Sequence, residues 1–299
     1  MPEEGMQWLQ KDKLLTYEEI ARLVRIFASL GVHKIRLTGG EPLMRKGLAQ
    51  LAAMLRQIDG IDDIALTTNG YFLEEQAEEL FAAGVHRINV SLDALDPRLF
   101  SEVVRREQFE RTWAGIEAAE RVGMKPIKLN VVLMRGVNDC EILKFAELAR
   151  TRAFVIRFIE FMPIGKDDGW DATKVLPTRE VIDIINSYSP LVPKSTVNGA
   201  APSEDYVFAD GRGEIGFISS VSQPFCADCD RVRLTSDGKF RTCLFSLVET
   251  DLRAMTRGGA TDTEIAEALL SAVMKKEEGH LINHPGFVRP ERTMSQIGG

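Results

Sequence analysis

Cysteine is scarce, with four in 299 residues. That is too few to staple a chain of this length with disulfides, so a reducing compartment is expected. No apolar run approaches the roughly 18 residues a membrane-spanning helix needs. Met1-Pro2-Glu3-Glu4-Gly5 is not a signal peptide either. Positive charge is in deficit: 37 Lys and Arg against 44 Asp and Glu leave a net charge of −7. General nucleic-acid binding, which draws on clustered basic side chains, is therefore excluded. No G-x-x-x-x-G-K occurs and no G-x-G-x-x-G follows the first strand, so the common phosphate-cradling loops are absent there. Proline and glycine, at 12 and 24, are near average usage and argue against disorder or a fibrous repeat. No internal repeat or low-complexity tract is found. A soluble, cytoplasmic chain of one large or two ordinary domains is expected.

What is there reads as strand–helix units. Thr16-Tyr17-Glu18-Glu19 has capping-box spacing. Ile20, Leu23, Val24, Phe27 and Leu30 follow at helical period, and Gly31 stands at a left-handed C′ position. Strands are predicted over His33–Leu37, up to Thr67-Thr68-Asn69-Gly70, and over Arg87–Leu92, Ile127–Met134 and Val155–Met162. Helices are predicted over Leu73–Ala83, Gln108–Val122 and Glu141–Ala149. Strands alternating with amphipathic helices imply a parallel sheet. Polar residues within or late in the strands (Arg36, Thr67, Ser91, Lys128, Glu160) suit the ligand end of a β/α barrel. A doubly wound sheet is the alternative, and it usually carries a glycine loop that is missing here. Past Gly165 the pattern changes. Lys166–Trp170 is turn-rich, Arg179–Ser187 and Thr263–Lys276 read as helices, and Lys194–Ser203 reads as loop. A boundary near Gly165 divides a domain over 1–165 from one over 166–299.

Cys226-Ala227-Asp228-Cys229, followed by Cys243, has the spacing C-x2-C-x13-C. Three thiols so placed in a reduced chain point to metal rather than a redox pair. Zinc would ask for a fourth ligand, for which Cys140, His280 and His284 are candidates without finger spacing. An iron–sulfur cluster on three cysteines would leave one iron open to a substrate atom. Spacing does not separate the two. Cys140 reads as a lone, partly buried thiol after the helix-capping pair Asn138-Asp139. Arg231 and Arg233, two apart in an extended segment, share a face and suit a polyphosphate or carboxylate. Two solvated arginines would look the same. Lys128 in an apolar strand is harder to set aside, because a buried lysine needs a partner. In Thr38-Gly39-Gly40-Glu41-Pro42, paired glycines allow close backbone approach to a ligand, and Glu41 could accept from an amine.

Gly39-Gly40-Glu41-Pro42, Thr67-Thr68-Asn69-Gly70, Asn89-Val90-Ser91-Leu92-Asp93 and Arg157-Phe158-Ile159-Glu160-Phe161-Met162 occur in one order. They resemble the successive strand ends of a radical S-adenosylmethionine (SAM) enzyme. With the cysteine triplet, the Arg-x-Arg and the terminal Gly298-Gly299, the whole chain resembles the GTP 3′,8-cyclase family of molybdenum cofactor biosynthesis. The resemblance implies a partial (β/α)6 TIM-like barrel with a C-terminal cluster-binding region. The activity it implies is conversion of GTP to (8S)-3′,8-cyclo-7,8-dihydroguanosine 5′-triphosphate by a SAM-derived radical. By position, Arg36, Thr67, Lys128, Arg231, Val232 and Arg233 would contact GTP, and Gly40, Ser91 and Met162 would contact SAM. Cys226, Cys229 and Cys243 would hold one [4Fe–4S] cluster, and Gly298-Gly299 would reach into the site and assist turnover. A molybdopterin-pathway enzyme would receive the product, and a homodimer is one assembly this allows.

The family pattern also carries an N-terminal C-x3-C-x2-C that holds a second, SAM-binding cluster. Its third cysteine would stand just before Met1, and no cysteine precedes Cys140. The first barrel strand and an upstream GTP-binding arginine are then expected to be missing as well. A start assigned at an internal Met is favoured over a truncated gene, since every later motif is intact. The chain as written is expected to be inactive by itself. The rival reading is a non-catalytic GTP-binding protein carrying one cluster. A ubiquitin-like role for the Gly-Gly tail is disfavoured, because those carriers are small β-grasp domains.

Overall fold

The computed structural model describes residues 9–165, 169–194 and 201–298. The chain opens with α1 (Tyr17–Ser29), β1 (Lys34–Leu37), α2 (Leu48–Arg56), β2 (Asp63–Thr68), α3 (Leu73–Ala82) and β3 (Arg87–Ser91). It continues with α4 (Pro97–Val104), α5 (Phe109–Arg121), β4 (Ile127–Leu133), α6 (Ile142–Thr151), β5 (Phe154–Glu160) and α7 (Thr178–Tyr188). Then come β6 (Leu191–Pro193), β7 (Glu204–Phe208), β8 (Glu214–Ile218), β9 (Arg233–Leu234), β10 (Lys239–Arg241) and β11 (Thr250–Asp251). The last helices are α8 (Leu252–Arg257), α9 (Asp262–Met274) and α10 (Met294–Ile297).

The capping box at the start of α1 forms as the spacing requires: Glu19 N donates to Thr16 Oγ1 (3.2 Å) and Thr16 N to Glu19 Oε2 (2.7 Å). Such caps contribute about 1 kcal/mol each. Gly31 takes φ +95°, the left-handed conformation that ends the helix at low cost.

The strands form one open sheet in the order β1-β2-β3-β4-β5-β8-β7-β6. β1 through β5 and β8 run parallel, while β7 and β6 return antiparallel. The arc does not close into a barrel among the described residues. The sequence showed five parallel strands; β8 is the sixth. It escapes a pattern search because Glu214-Ile215-Gly216-Phe217-Ile218 is short and carries a glycine at its centre. Within Lys194–Ser203, residues 195–200 lie outside the described residues, and the chain re-enters the sheet at β7. The sheet therefore runs across the boundary read near Gly165.

Side chains alternate across this sheet. Ile88 and Val90 on β3, Leu129 and Val131 on β4, and Ile156 and Phe158 on β5 are buried on one face. Phe158 stacks between Phe145 of α6 and Phe217 of β8, at 6.2 and 6.1 Å. The other face is polar.

Candidate active site

Register decides which residues meet on the polar face. Thr67 lies opposite Asn89, Asn89 opposite Lys128, Lys128 opposite Val155 and Val155 opposite Glu214. One step along, Ser91, Asn130, Arg157, Gly216 and Asp205 form a second row. Arg36 joins from β1 through Ala65 to Arg87. Thr67 Oγ1 accepts from Asn89 Nδ2 at 3.2 Å. A Cβ on Gly216 would stand 2.3 Å from Ser203 Oγ and 2.8 Å from Asp205 Oδ1, so glycine is needed where those groups cross the sheet beside Arg157.

The expected GTP contacts form a crowded cationic set. Water reaches Arg36, yet protein encloses it on most sides. Lost hydration, then the charges of Arg157, Arg87 and Arg231, lower its guanidinium to about 10. Burial, then Arg231 and Arg36, lowers Arg233 to about 10, against the pull of the Cys243 and Cys229 sulfurs. Burial and Arg157 lower Lys128 to about 8, partly offset by Asp205 and Glu214. Like charges held close while unpaired with acid are what an anionic ligand would relieve. Arg157, 7% exposed, was named in the sequence only as part of a motif; among the described residues its Nε has no hydrogen-bond partner, and neither has Asn130 Oδ1. A charged residue at inward parity in an apolar strand, as for Lys128, was the signal available for it.

Two carboxylates are fixed by backbone and hydroxyl donors. Glu160 has the opposite parity to Arg157 and so leaves the polar face. It accepts from Thr178 N (3.0 Å), Val221 N and Ser222 N (both 2.8 Å), which fixes α7 and the loop after β8. Glu41 accepts from Leu43 N (3.0 Å), Thr68 Oγ1 (2.6 Å) and Asn69 N (2.8 Å). It ties the Gly39-Gly40 loop to the end of β2, and among the described residues Oε2 carries only the Asn69 donor. Asp93, at the end of the Asn89–Asp93 motif, is enclosed; burial raises its carboxyl to about 6 despite a 2.8 Å bond from Val132 N.

The C-terminal residues close over the Gly39-Gly40 loop. Ser295 O lies 3.6 Å from where a Gly40 Cβ would be, and a Cβ on Gly298 would meet Thr38 Cγ2 at 2.9 Å. Arg233 Nη1 donates to Gly298 O. Ile297, Ile164 and Phe245 form a buried cluster against which Met162, Cys243 and Met294 pack. Gly40, Met162, Arg233, Cys243 and the tail are thus brought together. Ser91 is exposed at the end of β3, Val232 turns into the main core, and Gly299 lies outside the described residues.

Cys226, Cys229 and Cys243 are free and half-buried. Each sulfur has an N–H donor: the His280 backbone for Cys226, Arg231 Nε (3.4 Å) for Cys229 and Phe245 N (3.4 Å) for Cys243. Burial opposes ionisation of Cys229, but the Arg231 N–H groups and the charges of Arg231 and Lys276 outweigh it and hold the thiol below its ordinary value. Among the described residues no three His, Cys, Asp or Glu groups converge on a point where one ion could sit. Of the fourth-ligand candidates, Cys140 is exposed rather than partly buried, in the short turn Asp139–Glu141, and Asn138 turns its side chain inward to Asp93 O and Val132 O instead of capping a helix. His280 lies beside Phe245 and His284 is exposed.

Residues 4–149 match the radical SAM superfamily, and residues 154–282 match molybdenum cofactor synthesis C. A GTP 3′,8-cyclase from Pelotomaculum thermopropionicum is 45% identical, covering 100% of this chain and 92% of that protein. GTP 3′,8-cyclases from Syntrophomonas wolfei and Streptomyces coelicolor are each 42% identical, covering 92% and 88% of their lengths. The chain belongs to the GTP 3′,8-cyclase family. Membership makes it a radical SAM enzyme, a class that uses SAM and a [4Fe–4S] cluster. Among the described residues no helix is long and apolar enough to cross a membrane.

Proposed function

We propose that the site serves the conversion of GTP to (8S)-3′,8-cyclo-7,8-dihydroguanosine 5′-triphosphate, and that these 299 residues hold the substrate but are inactive by themselves. Arg36, Lys128, Arg231 and Arg233 bind the triphosphate, Thr67 offers a hydroxyl from the sheet floor, and Val232 fixes the spacing of the two arginines. Gly40 and Ser91 border the SAM subsite with Met162 as its apolar wall. Cys226, Cys229 and Cys243 hold one cluster beside the purine. When bound, SAM and the iron–sulfur clusters supply the radical and an attachment point for the purine. The chain's own residues orient the ribose against that chemistry and exclude water with the tail. The product passes to a molybdopterin-pathway enzyme.

The observation that carries this reading is the mutual field of Arg36, Arg231 and Arg233 next to Cys229 and Cys243. It places anion-binding groups against the thiol triplet in a chain of negative net charge. Cys140 is the sole other thiol, and it is exposed on the short turn after β4. A second cluster cannot be built from it.

The test is anaerobic reconstitution followed by GTP binding and SAM turnover with dithionite. GTP should bind to the iron-loaded chain, and these residues alone should release no 5′-deoxyadenosine. Failure to bind GTP overturns the substrate assignment; substantial 5′-deoxyadenosine overturns the inactivity of these residues by themselves.

A further inference from the structure

The ten residues before the C-terminus are held by more than Arg233. Arg292 Nη1 and Nη2 donate to the two oxygens of Asp237 at 3.2 and 2.9 Å. Nη2 also reaches Glu249 Oε2 at 3.0 Å, and Nε pairs with Glu249 Oε1 at 2.7 Å. One guanidinium thus engages two carboxylates along two edges, the planar match that arginine makes and lysine cannot. Both carboxylates are themselves fixed. Asp237 accepts from Thr235 Oγ1 at 2.6 Å, and Glu249 is bound by Arg241, which is 3% exposed and also donates to the Leu244 and Ser246 carbonyls. Asp237 sits in the turn of the β9–β10 hairpin, which carries Arg233 at one end and leads to Cys243 at the other, and Glu249 directly precedes β11.

From Arg292 to Gly298 the path is short and stiff. Thr293 and Gln296 form a capping box around the single turn of α10, Thr293 N donating to Gln296 Oε1 at 3.0 Å. Ile297 is buried, and Gly298 N closes on Met294 O at 2.9 Å. A fixed Arg292 therefore dictates where the Gly298 carbonyl arrives.

We propose that Arg292 is the positioning residue of the C-terminal tail. Its clamp on Asp237 and Glu249 holds Gly298 against Thr38 independently of Arg233. Resting on the substrate reading above, the proposal explains how the tail stays docked when Arg233 turns from the Gly298 carbonyl to the triphosphate. Arg292 touches neither substrate nor cluster and acts only through Gly298.

Hydrogen exchange of the reconstituted chain, read by mass spectrometry over residues 293–298, tests this with and without GTP. Arg292→Ala should speed exchange at the Gln296, Ile297 and Gly298 amides at least tenfold, most with GTP bound. Iron content should be unchanged and GTP affinity should stay within about twofold. Arg292→Lys should lie between, since a point charge satisfies only part of the fork. Unchanged tail exchange in both variants overturns the proposal. So does exchange that spreads into β10 with loss of iron, which would make Arg292 a brace for the hairpin. Should Arg292→Ala not fold, Asp237→Asn leaves the Glu249 pair standing and should give a smaller increase confined to the tail; no increase overturns the proposal. Wild-type chain that does not bind GTP would refute the substrate assignment while leaving the tail-exchange comparison intact.

Discussion

The sheet and the C-terminal region are stabilised by different means. From α1 to β5 the structure is regular, with apolar side chains alternating into a continuous core and polar ones facing the site. From Ser219 onward the elements other than α9 are short, and buried Thr235, Asp237, Arg241, Thr242 and Ser246 sit beside few buried apolar residues. The first region is held by area removed from water, a diffuse force that tolerates local change. The second is held by directed contacts, each of which fails when one partner is lost. A site built between them gains a stable floor from one and accurately placed ligands from the other.

The largest expected effect falls on the second region alone. Cys243→Ser should abolish most iron loading while far-UV circular dichroism keeps the strand–helix signal. Full loading would move the ligand role elsewhere. Next comes the seam. Glu160→Gln cannot satisfy every donor that now converges on the carboxylate, and stability should fall by about 1–3 kcal/mol, measured by urea unfolding. No change would mean the two regions are not joined there. Arg233→Ala should weaken GTP binding about tenfold or more, the value of a hydrogen bond to a charged group, with iron content unchanged. Iron loss in that variant would make Arg233 structural.

A smaller effect concerns protonation. On the proposed reading Lys128 binds phosphate as the ammonium, and burial and the charge of Arg157 lower it to about 8. GTP affinity should therefore fall severalfold as pH rises from about 7 to about 9, and Lys128→Arg should flatten that dependence. A flat wild-type profile would remove Lys128 from the triphosphate site. The smallest effect is local to the sheet region. Thr16→Ala should cost about 1 kcal/mol through the α1 cap and leave iron and GTP binding alone.

The same contrast explains what could be read from the sequence. The capping box at Thr16, the left-handed Gly31 and the strand periods were legible because each is a local device with a fixed spacing. Lys128 stood out because charge in an apolar strand demands a partner. β8 was hidden by Gly216, whose reason for being glycine is Ser203 and Asp205 crossing from a neighbouring strand. Glu160 was misassigned because its role depends on sheet parity and on backbone donors about twenty and sixty residues away. Arg292 carried no motif at all, since its partners, Asp237 and Glu249, meet it only in the fold.

The most direct test of the central claim is a count of iron and sulfide on the anaerobically reconstituted chain, followed by electron paramagnetic resonance of the reduced protein with and without GTP. About four irons and four sulfides per chain are predicted, with a signal that shifts when GTP is added. One zinc without sulfide, or a cluster signal indifferent to GTP, would contradict the account.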